Sequence, residues 1–535
     1  MNELIPRIIA SVVCAALFCC MTLKALGAMQ QGGYKNRMFL RWFKRGDNMY
    51  FNRLCVLSLC LALVSAVTSL GFSMLGVKVA LYISAVPFLG LLAVFLAVDL
   101  KYALKVAVKY TGRLYRLFAV YLLFTACASF LVITLLSFLS SLNGSEIYAL
   151  VSFVPFAVMP ALLPFLLCGA NGVTRIFENA RNNRYAKRAG QVLDERQDLL
   201  RVGVVGSFGK TTVKNILKAL LSVKYDVAET PASYNTPIGI AKTVFAEGFE
   251  KKQVFVAEMG ARKQGDILEL CQLVKPQYAV FTGVCEQHIS SFKSLNNVFD
   301  EKSEILKCGA KVVCGESLKE RIAEAFGENA EGVVYGDSSA VSDIRLTATK
   351  TEFKLRIGEK EILVSTKLLG VAAVENILLS ATLAYEMGLT AEEIERGLQN
   401  IPAIPHRLQL LESNGVYILD DGYNANPRGA KEALAALGRF AGRKCIVTPG
   451  LVECGVLEEK INGELGKKIA AERLDKVILI GDTLVGAVKQ GYIEAGGEAE
   501  KLVVARSLEE AKPLLSEWLR EGDAVLFLND LPDVY

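Results

Sequence analysis

Six short stretches of this chain carry side chains suited to phosphoryl chemistry, and the first sets the terms for the others. Gly206-Ser207-Phe208-Gly209-Lys210-Thr211-Thr212 follows an apolar run, 200–205, and opens a run of helical periodicity, 211–223. A glycine turn between a strand and a helix turns backbone N–H groups toward phosphate oxygens. The helix N-terminus adds partial positive charge. From such a turn Lys210 can reach the β- or γ-phosphate, and the Thr211 hydroxyl can hold Mg2+. The stretch therefore predicts ATP or GTP binding. The full GxxxxGK[ST] form has a glycine where this chain has Val204, so the strand-turn-helix context carries the reading.

Five further features follow. Glu258 closes the buried strand-like run Val254-Phe-Val-Ala-Glu-Met-Gly260. Ligands bind at the carboxyl ends of strands in α/β proteins, and a carboxylate there suits Mg2+. His288 follows the next strand, and the chain's second histidine, His406, stands beside Arg407. Lys302 sits in Asp300-Glu-Lys-Ser-Glu304, and Asp420-Asp-Gly-Tyr-Asn-Ala-Asn-Pro427 ends a later strand. Each has a plainer reading when taken alone. The histidines read as structural, Lys302 as a solvated helix lysine, and the acidic turn as a helix cap.

These residues need elements to place them, and the sequence alternates accordingly. Strand-like runs at 201–206, 254–259, 278–284 and 311–315 alternate with helical ones. A small antiparallel sheet is expected over 344–369, turning at Gly358. Helical runs at 372–387 and 390–399 lead to a hinge, Ile401-Pro-Ala-Ile-Pro405-His-Arg407. A second alternation follows, with strands near 416–420, 444–449, 476–481, 501–505 and 524–529. It predicts a smaller doubly wound domain.

The chain's 535 residues are 52% hydrophobic, too apolar for an ordinary soluble protein. The excess lies in the first 170 residues, as segments 5–27, 54–76, 78–99, 117–140 and 146–169. Each is long enough to cross about 30 Å of hydrocarbon as a helix. Lys35, Arg37, Arg41, Lys44, Arg45 and Arg53 follow the first segment; Lys101, Lys105, Lys109, Arg113 and Arg116 follow the third. Arg175, Arg181, Arg184, Lys187 and Arg188 follow the fifth. By the positive-inside rule these faces are cytoplasmic, with the N-terminus outside. Acidic residues stand only at the ends of these segments, Asp99 and Glu146, which counts against a proton or ion pump. A net charge of +5 gives no case for nucleic-acid binding, and the 13 cysteines form no CxxC pair or Cys/His cluster.

The combined order and spacing resemble the Mur ligase family, ATP-dependent enzymes that build the peptide of the bacterial cell wall. The resemblance is closest to the branch that adds D-alanyl-D-alanine and covers about residues 199–535. It rests on Gly206 to Thr212, Glu258-Met-Gly-Ala261, His288, Lys302-Ser-Glu304, His406-Arg407 and Asp420 to Pro427. It implies ATP, Mg2+ (two ions) and an acyl phosphate attacked by an amine. It implies catalytic roles for Lys210, Lys302, His288 and Arg407. Gly206, Ser207, Gly209, Lys210, Thr211, Thr212, Asn376, Arg407 and Asp420 would hold the nucleotide. Thr211, Glu258, His288 and a carbamylated Lys302 would surround the metal. Tyr234, Asn235, Thr236, Asn424 and Asn426 would face substrate.

Departures fall at the substrate ends. The family's UDP-sugar-gripping N-terminal domain is replaced by the apolar segments. The family's G-x-H-N reads Gly370-Val-Ala372-Ala373, and its T-N strand end reads Thr282-Gly283. Its KGSR segment is replaced by Leu528-Asn-Asp-Leu-Pro-Asp533, and Thr448 to Glu453 also differs.

The expected fold class is a membrane α-helical bundle of about five spans followed by α/β. Its parts are a transmembrane domain (1–175), a linker helix (176–198), a P-loop ATPase-type central domain (199–405) and a Rossmann-like C-terminal domain (406–535). The expected function is amide-bond formation on a peptidoglycan precursor, UDP- or lipid-linked, with an amino acid or dipeptide as co-substrate. The expected place is the bacterial cell membrane, multi-pass, in contact with the lipid bilayer, with the catalytic domains cytoplasmic. Competing readings are ligation on another envelope polymer, an ATPase-coupled transport or signalling protein, and a non-catalytic scaffold. The spans and the Lys302 and Asp420–Pro427 motifs count against transport, and the retained Lys210, Glu258, His288 and Lys302 against a scaffold.

Overall fold

Two compact units divide the chain, Met1–Arg181 and Asn182–Asp530. The computed structural model describes residues 4–44, scattered positions from 56 to 68, 108–142, 154–285, 289–327, 330–423, 425–452, 454–481 and 484–529.

The first unit is helical. Helices Leu4–Met21, Leu23–Gln31, Asn36–Lys44 and Gly112–Leu142, with the first part of helix Val154–Glu195, enclose Phe18, Leu26, Phe39, Leu117, Tyr121 and Leu163. Several polar groups buried there are paired, as removal from water favours. Tyr121 shares a 3.0 Å hydrogen bond with Thr22, and Asn171 Nδ2 donates to the Tyr34 carbonyl and to Asn36 Oδ1.

The membrane expectation is met in part. Among the described residues one helical stretch, Gly112–Leu135, with mean hydropathy 2.3, is long and apolar enough to span. Arg7–Cys20 with Leu23–Gln31 passes only as a pair, bent by 54°. The bend falls at Thr22, whose hydroxyl donates back to the carbonyls of Phe18 and Cys19 and competes with the helix ladder. The expected span 117–140 lies on the first stretch and 5–27 on the bent pair. Segment 78–99 and most of 54–76 lie outside the described residues. Segment 146–169 is described from Val154, within a 42-residue helix that ends at Glu195. The expected linker helix is thus the distal part of that helix, and its Ala189 and Leu193 are buried in the core of the second unit.

In the second unit, β1 (Leu200–Val205), β2 (Val227–Glu229), β3 (Val254–Glu258), β4 (Tyr278–Phe281), β5 (Lys311–Cys314) and β6 (Val333–Tyr335) form a parallel sheet. Its order is β2-β3-β1-β4-β5-β6. Strands buried on both faces need continuous apolar runs, which is why Val254-Phe-Val-Ala has no polar alternation. Val202, Val204, Val254 and Val256 face helices Lys210–Leu221 and Val371–Glu386. Val205, Phe255, Ala257 and Phe281 face the other side. Antiparallel β7 (Val341–Leu346), β8 (Thr351–Ile357) and β9 (Lys360–Thr366) pack onto the first of these cores.

A second six-stranded sheet follows: β10 (Gln409–Ser413), β11 (Val416–Asp421), β12 (Lys444–Thr448), β13 (Lys476–Ile480), β14 (Leu502–Ala505) and β15 (Ala524–Leu528). Its order is β10-β11-β15-β12-β13-β14. It is mixed rather than wholly parallel, because β10 pairs antiparallel with β11 through the turn at Asn414-Gly415. Between the two sheets, Ile404 is buried in the first core and Leu408 packs on the second, with His406 and Leu408 in left-handed backbone.

Candidate active site

The loop from β1 to helix Lys210–Leu221 is shaped by glycine. Gly206 (φ +156°) and Gly209 (φ +72°) take positive φ. A Cβ at Gly206 would overlap the Thr282 hydroxyl, and one at Gly209 would fall 2.5 Å from Asn376 Oδ1. The Thr282 hydroxyl donates to the Phe208 carbonyl, and Ser207 N–H to Gly283 O at 2.8 Å. The loop therefore rests on the end of β4 and on helix Val371–Glu386.

Lys210 is half-buried, and its Nζ donates to the Gly206 carbonyl at 2.8 Å. Burial pushes its pKa down, opposed by the charge of Glu258. The Thr211 hydroxyl donates to Glu258 Oε2 at 3.0 Å, and Asn235 Nδ2 to Glu258 Oε1 at 3.2 Å. Glu258 is only 1% exposed at the end of β3. The Ser207 hydroxyl is buried with no hydrogen-bond partner. An unpaired buried hydroxyl in a glycine turn at a helix N-terminus is an environment that a phosphate oxygen completes.

Lys302 ends helix Leu295–Ser303 and is not a solvated lysine: it is 1% exposed. Burial, and then the charge of Lys210, lower its pKa to about 7. Its neighbour Glu301 accepts the N–H groups of Gly265 and Ile267 at 2.6 and 2.7 Å, which ties this turn to helix Asp266–Val274.

Arg407 comes from the second sheet's side. Its guanidinium donates to Thr211 Oγ1 at 3.4 Å and to the Tyr423 carbonyl at 2.8 Å, and stacks on the Tyr423 ring. Tyr423 Oη meets Ser233 Oγ at 2.6 Å. A crevice of about 120 Å³ lies here, lined in part by Gly209, Thr212, Asn376, Arg407, Asp421 and Asn426.

The remaining expected residues are distributed as follows. Asp420 pairs with His406 Nδ1 at 2.7 Å, while its neighbour Asp421 lines the crevice and accepts Leu408 N–H. Burial lifts Asp421 to a pKa of about 6. Asn426 caps helix Pro427–Gly438 by accepting from Arg428 and Gly429 N–H. Thr236 caps helix Pro237–Val244, and Tyr234 is 39% exposed. His288 and Asn424 lie outside the described residues.

Two contributors escaped the sequence reading. Arg428 stacks 4.2 Å over Phe208 and pairs with Glu375. Gly283 makes room for that ring, since a Cβ there would overlap Phe208; this accounts for the Thr282-Gly283 departure. Lys214 is buried within 3.6 Å of Glu258 Oε2. Its signal was present, because it lies three residues from Thr211 and so on the same helix face.

A phosphate loop, a carboxylate at the adjacent strand end and an arginine from a following α/β domain define a nucleotide-dependent two-domain protein. Residues 204–384 match the Mur ligase middle domain, and residues 406–529 the Mur ligase glutamate ligase domain. Together these cover more than half of the chain, which belongs to the Mur ligase family of ATP-dependent, ADP-forming acid–amino-acid ligases. It is 28% identical over 335 residues to the UDP-N-acetylmuramoyl-tripeptide–D-alanyl-D-alanine ligase of Bacillus subtilis, covering 61% of this chain and 72% of that one. The Escherichia coli enzyme of the same name is 29% identical over 296 residues, covering 52% and 64%. The Thermotoga maritima MurF structure, in complex with ADP, superposes with TM-score 0.57 at 25% identity, covering 65% and 80%. The chain thus spans roughly two thirds of the enzymes it resembles, with its helical first unit where they carry the UDP-binding region.

Proposed function

We propose that this protein forms an amide bond on a peptidoglycan precursor at the cytoplasmic face of the bacterial membrane. ATP's γ-phosphoryl group passes to a carboxylate of the precursor, and an amine displaces phosphate from the resulting acyl phosphate. The observation that carries this reading is the meeting of Lys210, Thr211 and Glu258 with Arg407 from the following domain. Phosphoryl transfer needs positioning and charge neutralisation more than covalent help, and these groups supply both.

Glu258 and Thr211 suit Mg2+, which takes one or two protein oxygens and completes its shell with phosphates and water. His288 is assigned to the same ion from the sequence. When bound, Mg2+ neutralises phosphate charge. Lys210 binds the transferring phosphate, and Arg407 and the crevice beside Asn376 receive the rest of the nucleotide. Asn235 holds Glu258 in place from the loop assigned to substrate. A buried lysine with a pKa near 7 is largely neutral just above that pH, as carbamylation requires. Its amine adds to CO2, releasing one proton and leaving a carboxylate that suits a second Mg2+.

The first unit is read as the membrane attachment. Leu123, Leu131 and Leu135 on helix Gly112–Leu142 are more than half exposed, which suits contact with lipid. The acceptor is then UDP-linked or lipid-linked, and the co-substrate is D-alanyl-D-alanine or another amino acid or peptide.

The test is ADP release by the detergent-purified full-length protein given D-alanyl-D-alanine, with Lys210→Ala as control. A soluble UDP-muramyl peptide and its lipid-linked form are compared as acceptors. Turnover with the soluble form makes the helices an anchor; turnover only with the lipid-linked form makes them part of the acceptor site. Release with neither rules out the D-alanyl-D-alanine assignment and points to another envelope polymer.

A further inference from the structure

The second unit holds a buried charge that the proposed chemistry does not use. Lys214 lies one turn beyond Thr211 on helix Lys210–Leu221 and is 1% exposed. Its Nζ donates to the carbonyls of Thr230 at 2.6 Å and Ala232 at 2.5 Å, and stands 3.6 Å from Glu258 Oε2. A lysine is removed from water at considerable cost unless its protons are all directed at acceptors. Here two carbonyls accept hydrogen bonds and the Glu258 carboxylate stands at ion-pair distance.

Those acceptors belong to parts of the site that must move together. Glu258 is the carboxylate at the end of β3. Ala232, in left-handed backbone at φ +44°, begins the segment that carries Ser233, Tyr234, Asn235 and Thr236. Ser233 meets the Tyr423 hydroxyl, and Asn235 reaches the other oxygen of Glu258. The Thr230 hydroxyl accepts the Glu258 N–H at 3.0 Å, so its residue holds that strand end from the backbone side as well. Glu258 thus has one oxygen shared between Thr211 and Lys214 and the other held by Asn235.

We propose that Lys214 is a positioning residue: it fixes the orientation of Glu258 toward Mg2+ and clamps the 230–236 segment to the phosphate-loop helix. The proposal rests on the reading of Glu258 as the Mg2+ carboxylate. Lys214 touches neither nucleotide nor acceptor in this assignment and acts through Glu258 and the loop. Groups that orient a metal's ligand affect metal affinity by about 10- to 100-fold when removed.

The test is a titration of Mg2+ against a fluorescent ATP analogue bound to the full-length protein in detergent, which reads metal affinity without turnover. Lys214→Met keeps the length of the side chain and removes its charge. It is expected to raise the Mg2+ midpoint by about tenfold or more while leaving analogue binding in EDTA unchanged. Lys214→Arg is expected to restore part of the loss. Glu258→Gln should raise the midpoint on its own, and adding Lys214→Met to it should raise it little further. An unchanged midpoint in Lys214→Met, with Glu258→Gln impaired, overturns the positioning role alone. An unchanged midpoint in Glu258→Gln overturns the Mg2+ reading and the proposal with it. If Lys214→Met fails to fold, Asn235→Ala and Lys214→Arg are titrated instead. Normal midpoints in both, with Glu258→Gln impaired, also overturn the proposal.

Discussion

The central sheet and the C-terminal sheet are both six-stranded and both bury apolar side chains on two faces, but their strand ends are finished differently. At the end of β1 the loop leaves the Ser207 hydroxyl without a partner, near a half-buried Lys210 and a buried Glu258. At the end of β12 the corresponding turn is closed by the protein itself. Asn462 Oδ1 accepts Leu451 N–H, its Nδ2 donates to the carbonyls of Leu451 and Glu458, and Asn529 Nδ2 donates to Gly450 O. Buried polar groups are normally satisfied. A strand end that leaves them waiting is one that expects a ligand, and a strand end that satisfies them internally is structural. The two segments where this chain departs from its family in the C-terminal domain, beginning at Thr448 and Leu528, meet at the closed end, through Asn529 and Gly450.

The largest effect that would break this contrast lies at Lys302. If its buried amine is carbamylated, Lys302→Ala should lower turnover by about 100-fold or more while nucleotide still binds. Wild-type activity should also fall when CO2 and bicarbonate are stripped. Its pKa is lowered from 10.5 to about 7, so the folded protein has lost this proton between those values while the unfolded chain keeps it. Stability from this group therefore rises with pH across that window. Equal activity in CO2-free buffer across pH 6 to 9 would remove Lys302 from the metal site.

A smaller effect, in stability rather than turnover, tests the closed end. Asn462→Ala removes the partner of the buried Leu451 N–H and carbonyl and should cost about 2–3 kcal/mol. Nucleotide affinity should stay as it is. A shift in ATP binding comparable with the loss of stability would mean that the C-terminal turn is a ligand site after all.

Much of this architecture was legible before the coordinates, and the exceptions have physical causes. β1, β3 and β4 were readable because strands buried on both faces leave unbroken apolar runs, and the glycines of 206–209 mark the turn. β2 and β6 are three residues long, too short for any periodicity, and β10 is a half-exposed edge strand with a polar sequence. β7 begins before the apolar pattern does, since most of its side chains face solvent. At the candidate site, Lys210, Glu258 and Arg407 are singled out in the sequence by motif spacing, and Glu258 and Arg407 meet at Thr211, next to Lys210. Lys214 and the burial of Lys302 were not singled out, because a lysine in a helical run reads as solvent-facing until its acceptors, which lie far away in sequence, are in place. The Phe208–Gly283 fit was equally hidden: the two positions are brought together only by the β1–β4 pairing.

That fit gives a second test of the open end. Gly283 holds φ +151° and its missing side chain is the space occupied by the Phe208 ring, itself covered by Arg428. Gly283→Ala should destabilise the protein by about 1–3 kcal/mol through overpacking and weaken ATP binding, because the phosphate loop must shift. Phe208→Ala in the same chain should recover most of the steric part. Failure of the second change to help would place the cost in backbone conformation instead.

The smallest effect is expected at Asp421, and it bears on which face of the acidic turn belongs to the open end. Asp420 and Asp421 are adjacent, yet one pairs with His406 and the other lines the crevice. Burial raises the Asp421 pKa to about 6 from 3.8, against the pull of Arg407. A carboxyl with a raised folded pKa stabilises the fold below its unfolded value and loses that contribution as pH rises through about 6. The pKa of about 6 already includes the opposing pull of Arg407, and with the side chain only partly buried the change should be about 1 kcal/mol between pH 4 and 6.5. Asp421→Asn keeps an oxygen for Leu408 N–H and removes the titration, so its stability should be flatter over that range than that of the wild type. Bound nucleotide, bringing negative charge to the same crevice, should push the Asp421 pKa higher still and steepen the wild-type slope. If the slope is unaltered by saturating nucleotide, Asp421 does not face the ligand, and the open end stops at Arg407.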